Sequence, residues 1–173
     1  MTAPPVHPQL GDYGCCPIGG PTGPLVSFLE WLNGDGFTRW DHAFVVTSVH
    51  PLRVVEAEPG GAREVAVPGA PVVWSTGRLG LELTTAQREE IAAVALGFAL
   101  SKTPYSWADY LALALRRLHI PFPGLRSYIA STHHEICSAL VAACYDAAGI
   151  HLFPGEWDGY VTPAMLAERA GYH

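Results

Sequence analysis

Three residue types in this chain have the chemistry of a thiol hydrolase: a cysteine, a histidine and a glutamate. Cys137 stands in EICSALVAACYDAAG, followed on one face by Leu140, Val141, Cys144 and Ala148 at helical spacing. That spacing predicts a helix with Cys137 near its N-terminal end, as the first residue of its core-facing stripe. A thiol there feels the positive end of the helix dipole, which favours thiolate. The unpaired N–H groups of the first turn can bind an oxyanion. His42 opens the β-rich run HAFVVTSV, where alternation places it with Phe44 and Val46 on one face. The return run LRVVEAE carries Val54, Glu56 and Glu58 on one face, so a hairpin brings His42 opposite Glu56 or Glu58. A carboxylate beside an imidazole fixes its tautomer and stabilises its charged form. Nucleophile, base and orienting carboxylate are the three parts of cysteine-hydrolase chemistry. Asp41 points to the other face and reads as a surface residue.

These residues need a sheet and a helix to hold them. Leu10 to Gly20 reads as an opening strand or loop, and Pro24 to Asn33 as a short amphipathic helix. Two strands, His42–Val49 and Leu52–Glu58, flank a His50-Pro51 turn. Gly60-Gly61 turns the chain into a third strand, Ala62–Val67, and Pro71–Trp74 reads as a fourth. The second half is helical. Thr84 and Gln87 form a capping box ahead of a helix from Thr85 to about Leu100. Ser106 and Asp109 mark a helix ending near Leu118. Thr132 and Glu135 precede one that stops at Gly149, and Thr162 with Pro163 starts a last short helix. A small sheet followed by helices predicts an α+β fold: a small antiparallel sheet or half-barrel packed against helices. The length of 173 residues suits one domain, 1–173.

Composition excludes several functions. Lys and Arg number 10 against 16 Asp and Glu, for a net charge of −6. With no basic cluster, phosphate-driven binding of nucleic acid and attraction to an anionic membrane surface are both disfavoured. The helical apolar stretch Ile91–Leu100 is about half a membrane span. MTAPPVHPQL has neither a basic nor an apolar leader region. We therefore expect a protein that is cytoplasmic as synthesised, compatible with a phage-encoded enzyme or one released by lysis. The four cysteines, Cys15, Cys16, Cys137 and Cys144, include no CxxC pair. They read as reduced thiols with no metal and no cofactor. His133 and His134 precede Cys137 and are candidates for a second base or a substrate contact.

The pattern resembles the permuted papain-like, YiiX-like branch of the NlpC-type cysteine peptidase superfamily. Gly11-Asp12 resembles the GD that opens that branch's first strand. WDHAFVV (residues 40–46) resembles its W-x-H-x-G-I-V strand, and VVEA (residues 54–57) before Gly60-Gly61 its V-x-E-A return. ICSALV (residues 136–141) resembles its F-C-S-E-L-V helix start. Val161-Thr162-Pro163 with Leu166 resembles its terminal V-[ST]-P-x-x-L. The histidine precedes the cysteine, as a circular permutation implies. The resemblance carries Cys137 as nucleophile, His42 as base and Glu56 as third polar residue. Thr103-Pro104-Tyr105-Ser106-Trp107 is similar to a tyrosine segment lining such sites, which adds Tyr105. Phe44 replaces the usual glycine after the histidine, and Ala139 the usual glutamate after Cys-Ser. The implied activity is hydrolysis of an amide or ester, foremost a peptidoglycan peptide amide. A lipid or small-molecule acyl hydrolase or transferase is the alternative within the superfamily. A non-catalytic binding module on the same fold is the alternative outside it.

Overall fold

A computed structural model describes residues 7–17, 40–58, 61–67, 69–101, 135–155 and 161–172. The helices expected at Pro24–Asn33 and after Ser106 lie outside the described residues, as do the Thr132 cap, Tyr105, His133 and His134.

Among the described residues, five strands form one antiparallel sheet in the order β4-β3-β2-β1-β5. They are β1 (Tyr13–Cys16), β2 (His42–Val49), β3 (Leu52–Glu58), β4 (Gly61–Ala66) and β5 (Val73–Trp74). Three helices follow among the described residues: α1 (Thr85–Leu100), α2 (Glu135–Ala147) and α3 (Pro163–Arg169). The fold is α+β, as the order of patterns predicts.

The caps form where the residue types place them. The Thr84 side chain accepts from the Gln87 backbone N–H, and the Gln87 side chain answers to the Thr84 backbone. Thr162 caps α3 ahead of Pro163. Gly149, at φ +75°, follows α2 in the left-handed conformation that glycine tolerates best. The β2–β3 turn contains a cis His50–Pro51 bond.

β2 is buried on both faces, which explains its nearly continuous apolar run. Ala43 and Val45 belong to a core with Tyr13, Cys15, Val55, Ile91, Leu140, Val141 and Leu166, on the side where the helices pack. Phe44 and Val46 belong to a second cluster with Cys16, Val54 and Trp74. Gly14 of β1 lets the sheet close over Phe44: a Cβ there would meet Phe44 Cε2 at 2.5 Å and Trp74 Cζ3 at 2.9 Å. Among the described residues, no helix is long and apolar enough to cross a membrane.

Candidate active site

The site forms at the end of the sheet where β2 begins. His42, the first residue of β2, is the Cα partner of Cys16, the last residue of β1. By alternation it lies on the Phe44 side of the sheet, and the two rings are 6.1 Å apart. Cys137 is the third residue of α2 and packs in the helix-side core with Cys15 and Ala43. Thiol and imidazole meet at the end of the sheet, joined by a side-chain hydrogen bond between His42 and Cys137.

His42 Nε2 lies 2.9 Å from Glu56 Oε2, with the two side chains 11% and 6% exposed. With Nε2 committed to Glu56, Nδ1 is the ring nitrogen left for the sulfur. The register makes this a diagonal contact. Glu56 is the Cα partner of Phe44, two residues along β2 from His42, and its side chain reaches across. The sequence left Glu56 and Glu58 both open opposite His42, and Glu56 is the one on the imidazole. The Glu58 side chain lies outside the described residues.

Burial opposes a charge on His42, but hydrogen bonds to Cys137 and Glu56 outweigh it and push its pKa up to about 10. Glu56 is held below the usual carboxylate range, first by its hydrogen bond to His42, against burial, and with help from Arg63. These shifts favour an imidazolium between two acidic groups. The other three thiols respond to burial in the opposite sense. Cys15 and Cys144 are pushed well up, and Cys16 up to about 12. Burial is the main cause for each, and the neighbouring Cys137 adds to it for Cys15 and Cys16.

One feature departs from the sequence reading. Asp41, read as a surface residue, is buried at 4% exposure, with its backbone N–H donating to the Cys16 carbonyl. It lies deep because β1 runs alongside the start of β2, and a single strand's alternation says nothing about that neighbour. Cys137, by contrast, is only 3% exposed, as the first residue of a core-facing stripe should be.

Arg63 is a contact the sequence reading missed. Its Nε and Nη2 donate to Glu56 Oε1 at 3.0 and 2.9 Å. The signal was present: counting from the turn between β3 and β4, Arg63 falls directly opposite Glu56. Among the described residues, no group of three or more His, Cys, Asp or Glu side chains is arranged to hold a metal ion.

The motif segments outside His42, Glu56 and Cys137 hold the frame. Ser138 Oγ donates to the Val161 carbonyl, and Tyr13 Oη donates to the Leu166 carbonyl at 2.8 Å. Asp12 accepts from Arg88 Nη1 at 2.7 Å, from Thr76 Oγ1 at 2.6 Å and from the Gln9 backbone at 2.8 Å. Comparison of the chain with protein-family models, curated proteins and solved structures finds no match.

Proposed function

We propose that the protein is a cysteine-dependent hydrolase of amide or ester bonds, working through an acyl-enzyme on Cys137. The observation that carries this proposal is His42 hydrogen-bonded to both Cys137 and Glu56. In this mechanism the Cys137 thiolate attacks the substrate carbonyl carbon, and the backbone N–H groups of the first turn of α2 bind the developing oxyanion. The imidazolium of His42 gives its Nδ1 proton to the leaving amine or alcohol as the C–N or C–O bond breaks. Neutral His42 then takes a proton from water as the water attacks the thioester. Collapse of that second intermediate releases the acid and restores thiolate and imidazolium. Glu56 keeps Nε2–H engaged throughout, which holds the ring and stabilises its charged form.

The order of sheet and helices, with histidine before cysteine, supports a circularly permuted papain-like arrangement. The same resemblance makes peptidoglycan peptide amides the first substrates to test, with short acyl esters beside them. Hydrolysis of either, its abolition by Cys137→Ala, and a mass shift on the Cys137 peptide from the trapped acyl group are the expected results. No turnover on either class, together with iodoacetamide labelling of Cys137 no faster than of Cys144, overturns the proposal and favours a binding module.

A further inference from the structure

We infer that Arg63 is a positioning residue of this site: from β4 it holds Oε1 of Glu56, so that Oε2 is turned to His42. The inference rests on the hydrolase reading for its functional meaning, and on geometry for its substance. Glu56 and Arg63 are direct cross-strand partners, so the register of the β3–β4 hairpin delivers the guanidinium to the carboxylate. Two of its donors, Nε and Nη2, converge on the same oxygen at 3.0 and 2.9 Å. The other oxygen is 2.9 Å from His42 Nε2. A buried carboxylate with one oxygen clamped has lost its freedom to rotate. The imidazole plane is then set by β3 and β4 together, and not by the Glu56 rotamer alone.

Arg63 is also a positive charge shared with the carboxylate that stabilises the imidazolium. While it is bound, Glu56 presents less than a full negative charge to His42, which keeps the imidazolium a more willing proton donor to the leaving group. The groups that face this imidazole among the described residues come from four elements. They are Cys137 from α2, Glu56 from β3, Arg63 from β4 through Glu56, and Cys16 from β1, with Asp41 preceding His42 in the chain. Of these, Arg63 is the only cation. The Arg63 side chain is 56% exposed, so its replacement leaves no cavity and the variants should fold.

The test separates clamp from charge. His42 is titrated by NMR of histidine-labelled protein in the wild type and in Arg63→Gln and Arg63→Lys, and turnover is measured alongside. Arg63→Gln keeps a donor for Oε1 and removes the charge. The His42 midpoint should rise by about half a unit to one unit, the solvent-screened effect of removing one nearby cation. Arg63→Lys keeps the charge but loses the fork. It should leave the midpoint near the wild-type value and lower turnover several-fold without a matching change in KM. Superimposable His42 titrations and turnover in all three proteins overturn the assignment of Arg63. Unchanged titration in Lys with a raised midpoint in Gln sustains that assignment even if no substrate is hydrolysed. Absence of turnover in the wild type counts against the hydrolase reading alone.

Discussion

The imidazole of His42 touches two acids of different strength, the Glu56 carboxylate and the Cys137 thiol, and its protonation links the chemistry to the stability of the fold. His42 has its pKa raised from 6.5 to about 10 in the folded chain. Its contribution to stability is therefore fully present below pH 6.5 and lost as the pH rises through about 10. Glu56 is lowered from 4.5, so its contribution is present above pH 4.5 and lost as the pH falls through its folded value. Glu56→Gln removes the charged partner from a buried site and should cost about 1–3 kcal/mol near neutrality. Urea unfolding across the pH range should show the gap to the wild type narrowing below the carboxylate range and above about pH 10. A gap independent of pH would mean that shape and not charge is lost. Turnover in the same variant should fall at least about tenfold, since the imidazolium loses its stabiliser.

Thiol reactivity belongs to the residue scale as well. Cys15, Cys16 and Cys144 are buried and their thiols are pushed up, whereas Cys137 alone is hydrogen-bonded to His42. Iodoacetamide near neutral pH should label Cys137 first, and His42→Ala should slow that labelling. Peptide mapping by mass spectrometry reads both rates. Labelling that begins at Cys15 or Cys16 would reassign the nucleophile.

At the scale of elements, α2 carries the proposed nucleophile and a packing cysteine along one stripe. Cys137 lies in its first turn and Cys144 two turns further on, fully buried among core side chains. Cys144→Ala should cost about 1–2 kcal/mol as a large-to-small core change, with Cys137 labelling unaffected. Cys137→Ala should remove turnover. Because Cys137 is also buried, some loss of melting temperature is expected there too, and the comparison rests on activity. The β1–β2 pair offers the converse experiment. Gly14→Ala drives a methyl against Phe44 and Trp74, and Phe44 is the ring beside His42. That overpacking should cost about 1–3 kcal/mol and slow Cys137 alkylation, with the strain passed through Phe44 to His42. Thermal melts and alkylation rates on one preparation check both.

At the scale of the whole molecule, the site depends on clips between elements distant in sequence. Asp12 ties the entry to β1 to α1 through Arg88, and to the segment after β5 through Thr76. Tyr13 ties β1 to α3 through the Leu166 carbonyl, and Tyr145 ties α2 to the Gly11 carbonyl at 2.8 Å. Asp12→Asn leaves the partly buried Arg88 without its charge partner and should destabilise the fold by about 2–4 kcal/mol. Chemical denaturation measures the loss, and Arg88→Gln in the same background should recover part of it. Additive losses would show that the two side chains do not act as a pair.

Local chemistry was legible in the sequence because it is periodic or positional. The β2–β3 hairpin, the capped start of α1, the Thr162–Pro163 start of α3 and the cysteine in the first turn of α2 all follow from residues within a few positions of one another. The antiparallel α+β architecture followed from their order. The meeting of Cys137 with His42 was expected from the chemistry of the pair and from the family resemblance, since alternation and helical spacing each stop at the end of their own element. Which glutamate serves the imidazole depends on the diagonal reach across β2 and β3, which side-chain parity cannot distinguish from the directly opposite position. The burial of Asp41 depends on the neighbour brought in by β1. Arg63 lies between these cases. Its place opposite Glu56 is countable from a turn, but the choice of one carboxylate oxygen for the guanidinium and the other for the imidazole is made by packing in three dimensions.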